Sequence, residues 1–227
     1  SGDTKVALAD GRNLSFEELV VEQAEGKEHF CYTIRKDGTI GMERVQNARL
    51  TKQNVPVIRI TLDNGEAITC TPDHCFMLRD GSYKVASKLT VEDSLMPLYR
   101  KLSKKAQPGI TIDGYEMVWD PRSDSWLFTH ILADWYNRWK NVYSKSDGDH
   151  CHHLDFNKHN NYPTNIQRLP HDEHLAIHRE HVDKTLHRPE VIKKSTETRQ
   201  SVQFRAIMSE RMQMPETRDI LSAQARE

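Results

Sequence analysis

The feature that most narrows what this chain can fold into is a histidine cluster. The segment HCHHLDFNKHNNYPTNIQRLPHDEHLAIHREH, residues 150–181, holds eight of the chain's twelve histidines. Scattered imidazoles are ordinary solvated surface, but these are spaced. His174, His178 and His181 stand at i, i+4 and i+7, so a helix would line them along one face. Pro170 opens that helix, and Asp172 and Glu173 fall in its first turn, where acids complement the helix dipole. Upstream, CHHLDF (151–156) reads as extended, NKHNNYPT (157–164) as loop and NIQRL (165–169) as a short return strand. A hairpin with His152 and His153 on its first strand can lay that pair against the helical row, the convergence of imidazoles that a divalent ion needs. Adjacent strand residues face opposite sides, so a kink or bulge is expected to reorient one of the two.

The order is His-His, then Asn after a loop, then His-x3-His on a helix. It resembles the HNH nuclease family, the ββα-metal fold, over roughly residues 150–180. The resemblance implies His152 as a metal ligand and His153 as general base. It gives Asn165 the task of orienting the loop and the base. His174 becomes the second metal ligand, and His178 a third ligand or a group beside the ligands. The chemistry suits these types: a neutral imidazole with a pKa near roughly 6.5 can take a proton from the attacking water. A divalent cation would neutralise the phosphorane charge and the leaving 3′ oxygen. Some family members carry Asp first in the pair, or Asn where His174 stands. Imidazole ligands leave the ion open, since Mg2+ prefers oxygen. Mg2+ or Mn2+ is expected to support turnover, with Zn2+ binding more tightly. Asp155 is expected to fix the loop by local hydrogen bonds, and Cys151 to be a small core residue. His159 and His171 read as solvated, and His181 as lying beside the site or on the surface.

Residues 1–98 read as β-rich. Asp37-Gly38, Asn64-Gly65 and Asp80-Gly81 punctuate hairpins, with extended runs such as VPVIRITL (55–62) and EAITC (66–70) between them. SFEELVVE (15–22) reads as a helix with Ser15 as N-cap and Glu18 completing a capping box. SGDTKV at the start and CTPDH at 70–74, separated by alternating β segments, resemble the N-terminal part of a Hint (hedgehog/intein) splicing domain. The resemblance makes His74 the group that strains and protonates the first peptide bond, with Thr71 hydrogen-bonding nearby. The family opens with a nucleophile a few residues before its Gly-Asp-Thr stretch, which puts Ser1 at the third family position. It closes with a His-Asn pair that this chain does not show near residue 227. Complete splicing is therefore not expected of the chain as given. Its partners would include flanking exteins and a C-terminal intein half.

The basic stretch RKLSKKAQPG (100–109) reads as linker. YEMVWDPRSDSWLFTHILADWYNRW suggests a strand, a turn at Pro121, then a helix with Leu127, Ile131, Leu132 and Trp135 inward. Residues 188–227 align without gaps at a period of 13, Pro189 on Pro215 and Thr196 on Ser209 and Ser222. They resemble the modular DNA-binding repeats that follow such nucleases, each a short helix plus an extended stretch. The implied DNA contacts are Lys193, Lys194, Arg199, Arg205, Arg211 and Arg218, with Ser/Thr at 196, 209 and 222 adding phosphate bonds. Arg188 and Arg226 bring the basic side chains of this tail to eight against six acids.

The expected fold class is α+β: a β-rich Hint-like domain (1–98), a linker (99–109), a ββα-metal nuclease domain (110–187) and a helical repeat tail (188–227). With a formal net charge of −1, nucleic-acid binding has to come from local basic patches. The four cysteines form no C-x2-C pair, which argues against a disulfide scaffold or zinc ribbon and for a reducing interior. No apolar run approaches the roughly 18 residues of a membrane span, so a cytoplasmic location is expected. The functional expectation is an intein-borne homing endonuclease cutting double-stranded DNA at the allele lacking the insert. The alternatives are a Hint-processed nuclease toxin and a metal-stabilised DNA-binding module without cleavage.

Overall fold

In a computed structural model the described residues are 1–106 and 109–218, and they divide into two units between Pro170 and His171. Ser222 and Arg226, and residues 107–108 of the expected linker, lie outside them.

The first unit is built of short antiparallel pairs. β1 (Lys5–Ala7) pairs with β2 (Asn13–Ser15), and α1 (Phe16–Ala24) follows directly. Ser15 caps α1 with the reciprocal Glu18 bond that its sequence requires. β3 (Phe30–Ile34) pairs with β4 (Ile40–Arg44), β5 (Ile58–Thr61) with β6 (Ala67–Cys70), and β7 (Cys75–Met77) with β8 (Tyr83–Val85). The Asp-Gly and Asn-Gly dipeptides close these hairpins as expected, but in three-residue loops. In each, the glycine N–H closes a turn (Gly38 to Arg35, Gly65 to Leu62, Gly81 to Leu78) and the glycine holds a positive φ. The preceding Asp37, Asn64 or Asp80 accepts the N–H two residues on. Ala9-Asp10-Gly11, between β1 and β2, is built the same way.

The expected linker carries a strand. β9 (Arg100–Leu102) pairs with β10 (Glu116–Asp120), which pairs in turn with β11 (Ser125–Phe128). Its basic side chains find partners instead of solvent. Arg100 bonds Glu116 at 3.0 Å and Asn13 at 2.9 Å, and the Lys101 ammonium lies 4.0 Å from the Trp126 ring centroid. Leu127 accordingly packs from a strand, not from the expected helix, because Trp126 pairs across with Trp119 at 5.3 Å between ring centroids. The helix, α2, starts at Thr129 and ends at Trp139. Leu132 and Ala133 are its buried apolar residues, while Ile131 and Trp135 are half-buried.

One core joins distant parts of this unit. Ala9, Phe30, Ile40 and Met42 pack with Val118, Leu132, Ala133 and Ile166. The first 45 residues thus share a core with the sheet, helix and hairpin after residue 99, while β5 to β8 and the turn that follows them contribute only Cys70 and Ala86 to the buried apolar set. The expected boundary at 98–110 is crossed by this core. β12 (His150–His153) and β13 (Ile166–Leu169) form the hairpin that follows α2.

The second unit is helical: α3 (His171–Thr185), α4 (Pro189–Gln200) and α5 (Val202–Gln213). The 13-residue period has a simple structural meaning, a 12-residue helix plus one extended residue. Arg188, Ser201 and Met214 hold ψ of 138°, 145° and 133° with φ near −60° in each case. Ser201 ends α4 and caps α5, its hydroxyl accepting the Phe204 N–H at 3.2 Å. The extended stretch expected in each repeat shrinks to that one residue.

Candidate functional site

β12 and β13 pair without interruption, His152 opposite Gln167 and His153 opposite Ile166. The expected bulge is therefore absent, and strand alternation sends the two imidazoles to opposite faces. Both are buried, at 3% and 7% exposure, so each face is covered. Extended structure stops at His153 rather than running to residue 156, and Phe156 turns the chain with φ +58°. Gly148 lets the first strand begin beside Leu169, because a Cβ there would overlap the Leu169 carbonyl.

Asn165 and Asp155 hold the loop between the strands. The Asn165 amide nitrogen donates to Asp155 Oδ1 and to the Asn160 carbonyl, both at 2.8 Å, and its oxygen accepts the Asp155 N–H at 3.1 Å. Asp155 also accepts from the Asn157 N–H and the Asn160 amide. Burial alone would raise its carboxyl, but these bonds outweigh it and hold the group below the ordinary range. Both residues thus hydrogen-bond within the loop between the strands.

The His153 ring is held by another residue. His153 Nε2 lies 3.0 Å from Oδ1 of Asn161, which is 1% exposed. Asn165 orients the loop, while Asn161 touches the imidazole. Tyr115 and His130 also pack on His153, with ring centroids 6.2 and 5.9 Å away. Burial pushes the His153 imidazole below its ordinary pKa against the raising effect of Asn161, so it is neutral at physiological pH. His130 is pushed down to about 4 by burial and then by His153. Sequence reasoning missed Asn161, Tyr115 and His130. The Asn160-Asn161 pair carried loop composition only, and nothing local marks Asn161 as buried.

Among the metal candidates, His152 sits on β12 with its ring edge-on to Phe156 at 5.0 Å between centroids. His174 and His178 project from one side of α3, their Nε2 atoms 3.2 Å apart. Two imidazole nitrogens bound to one ion at roughly 2.0–2.1 Å in tetrahedral geometry stand about 3.3 Å apart, so this pair has the spacing of neighbouring ligands on a single cation.

Thr71 and His74 lie in the turn between β6 and β7. The His74 N–H donates to the Thr71 carbonyl at 3.0 Å, and its exposed ring stacks edge-on against Phe76 at 4.9 Å. Lys52 first, then the Thr71 hydroxyl, hold Asp73 at a pKa of about 2. The Ser1 ammonium donates to the Thr69 carbonyl at 2.7 Å, two residues before Thr71.

In the second unit Lys193, Lys194 and Arg199 lie on α4, Arg205 and Arg211 on α5, and Arg218 in the helical residues that follow. All six are exposed. Lys194 and Arg199 line a cleft with Val191, Ser195, Thr198 and Phe204. No helix among the described residues is long and apolar enough to cross a membrane.

Comparison with known proteins adds two findings. The family model of the intein splicing domain matches residues 6–220. The DNA gyrase B protein of Synechocystis is 64% identical to this chain over 225 residues, which is 99% of the chain and 21% of that protein. The chain spans about a fifth of the length of this relative.

Proposed function

This chain belongs to the intein splicing domain family, and from that premise we propose that it unites a protein-splicing segment with a metal-dependent HNH homing endonuclease. The host would be a gyrase B-like protein, and its flanking segments would be the exteins. Support for the splicing half is the position of Ser1, whose nitrogen reaches Thr69 beside Thr71 and His74. His74 would protonate the departing amide nitrogen as a side-chain nucleophile attacks the carbonyl carbon, the C–N bond breaking as the ester or thioester forms.

The nuclease half is carried by one observation: a hairpin bearing His152 and His153, followed by a helix bearing His174 and His178 as a ligand-spaced pair. By the family resemblance, His152, His174 and His178 would be the ligands of the divalent cation. Mg2+ or Mn2+ would serve turnover, and Zn2+ would bind more tightly because the donors are imidazoles. When bound, the cation supplies charge neutralisation to the phosphorane and the leaving 3′ oxygen. His153 takes a proton from water as the water oxygen attacks phosphorus, and the bond to the 3′ oxygen breaks in line with that attack. Asn165 keeps the loop closed around the base. The exposed cations of α4, α5 and Arg218 would neutralise DNA phosphates.

The test is incubation of the full chain with Mg2+, Mn2+ or Zn2+ and duplex DNA, either random or spanning an uninterrupted gyrase B gene site. Metal-dependent cutting at that site, abolished by His153→Ala, is the expected result. Undiminished cutting by the variant removes His153 from the role. Sequence-blind degradation would favour a toxin, and binding without cleavage a DNA-binding module.

A further inference from the structure

We infer that Asn161 is a positioning residue that sets the tautomer of His153, and that the first hairpin of the splicing segment anchors it. The catalytic consequence rests on the nuclease reading above; the hydrogen-bond relay does not.

The relay can be followed atom by atom. The Asn161 amide nitrogen donates to the His159 carbonyl at 3.2 Å. A carbonyl can only accept, so the amide cannot be flipped, and its oxygen faces His153. That oxygen can also only accept, so His153 Nε2, 3.0 Å away, must carry the hydrogen. In a neutral imidazole the lone pair is then on Nδ1. Asn161 therefore selects which nitrogen is available to take a proton. The opposite tautomer would face two lone pairs toward each other and leave a buried oxygen without a donor.

Asn161 is held in turn from far along the chain. Its backbone N–H donates at 2.8 Å to the carbonyl of Ala9, in the loop between β1 and β2. Ala9 is fully buried and donates its own N–H to Phe30. The neighbouring Tyr162 stacks on Phe30 and places its hydroxyl 3.1 Å from His29 Nδ1. The base of the proposed nuclease is thus set by a loop that leans on the first 30 residues. The two proposed activities would then share this scaffold, joined at the Asn161–Ala9 bond.

The experiment uses the full chain with ¹⁵N-labelled histidine. Imidazole spectra report the His153 tautomer, and Mg2+-dependent cleavage gives kcat and KM. Wild type should show the Nε2–H form. Asn161→Asp, which keeps an acceptor, should retain it. Asn161→Ala should give a tautomer mixture and lower kcat at least tenfold with KM unchanged. An Nδ1–H wild type, or an Asn161→Ala chain with unaltered tautomer, overturns the inference. Were Asn161→Ala to unfold, the wild-type and Asn161→Asp spectra decide, since both must show Nε2–H. A held tautomer in a chain that cleaves no DNA with any metal sinks the nuclease reading while leaving the relay intact. For the anchor, Gly11→Val strains a loop residue at φ +87° and should speed amide exchange at Asn161 at least tenfold; unchanged exchange removes the hairpin from the relay.

Discussion

Asp134 and Arg168 meet side by side, Oδ1 accepting from Nε at 2.7 Å and Oδ2 from Nη2 at 3.0 Å. This bidentate pair bolts α2 to β13. Arg138 adds a third bond to the carboxylate, and the far nitrogen of Arg168 reaches the Gly148 carbonyl at 2.5 Å, where β12 begins. Asp134 is 1% exposed and the Arg168 side chain 10%, so replacing Asp134 strands a largely covered guanidinium. Asp134→Ala should cost about 3–5 kcal/mol, read as a lowered urea midpoint with an unchanged slope.

His130 should make the fold acid-sensitive. Its imidazole titrates near 4 in the folded chain, against roughly 6.5 when unfolded. As pH falls the unfolded chain takes the proton first. This contribution to stability is therefore intact above pH 6.5, declines between 6.5 and 4, and is fully lost below about 4. Chemical denaturation at pH 7 and pH 4 should show wild type losing roughly 2–3 kcal/mol more than His130→Phe over the same interval. Equal losses would mean that His130 is protonated in the folded state.

If His174 and His178 bind one cation, each should matter to affinity before any DNA is added. Titration with Co2+, followed by its visible absorption, should give tetrahedral bands in wild type. Affinity should fall roughly tenfold or more in His178→Ala and in His174→Ala. Identical isotherms would reduce the pair to two neighbouring surface imidazoles.

The helices after residue 188 predict a salt signature. Replacing Lys193, Lys194, Arg199, Arg205, Arg211 and Arg218 by Gln should flatten the log–log dependence of DNA affinity on salt. Six phosphate contacts correspond to a change in slope of up to about 5. Circular dichroism should stay the same, since all six side chains are exposed. An unaltered slope would place DNA binding elsewhere.

What could be read in advance was what neighbours in sequence decide. The Ser15–Glu18 cap, the Asp-Gly loops, the β12–β13 hairpin and α3 each rest on residues a few positions apart, and each stands where its residues imply. The misreadings of linker, helix start and loop share one cause, partners remote in sequence. Arg100 and Lys101 looked like linker charge because Glu116 and Trp126 were not visible as their partners. Leu127 fitted a helical stripe, yet Trp126 had a cross-strand Trp119 to meet. Asn161 was hidden in an Asn-rich loop because its burial depends on Ala9, near the other end of the chain.

The junctions at Arg188, Ser201 and Met214 carry a further implication for how such a tail can lengthen. A duplication of thirteen residues adds one complete rod and leaves every existing joint in phase. An insertion that is not a multiple of thirteen makes one rod longer than its neighbours and breaks the even spacing of the joints. Even spacing along this tail is therefore kept only by lengthening in whole repeats.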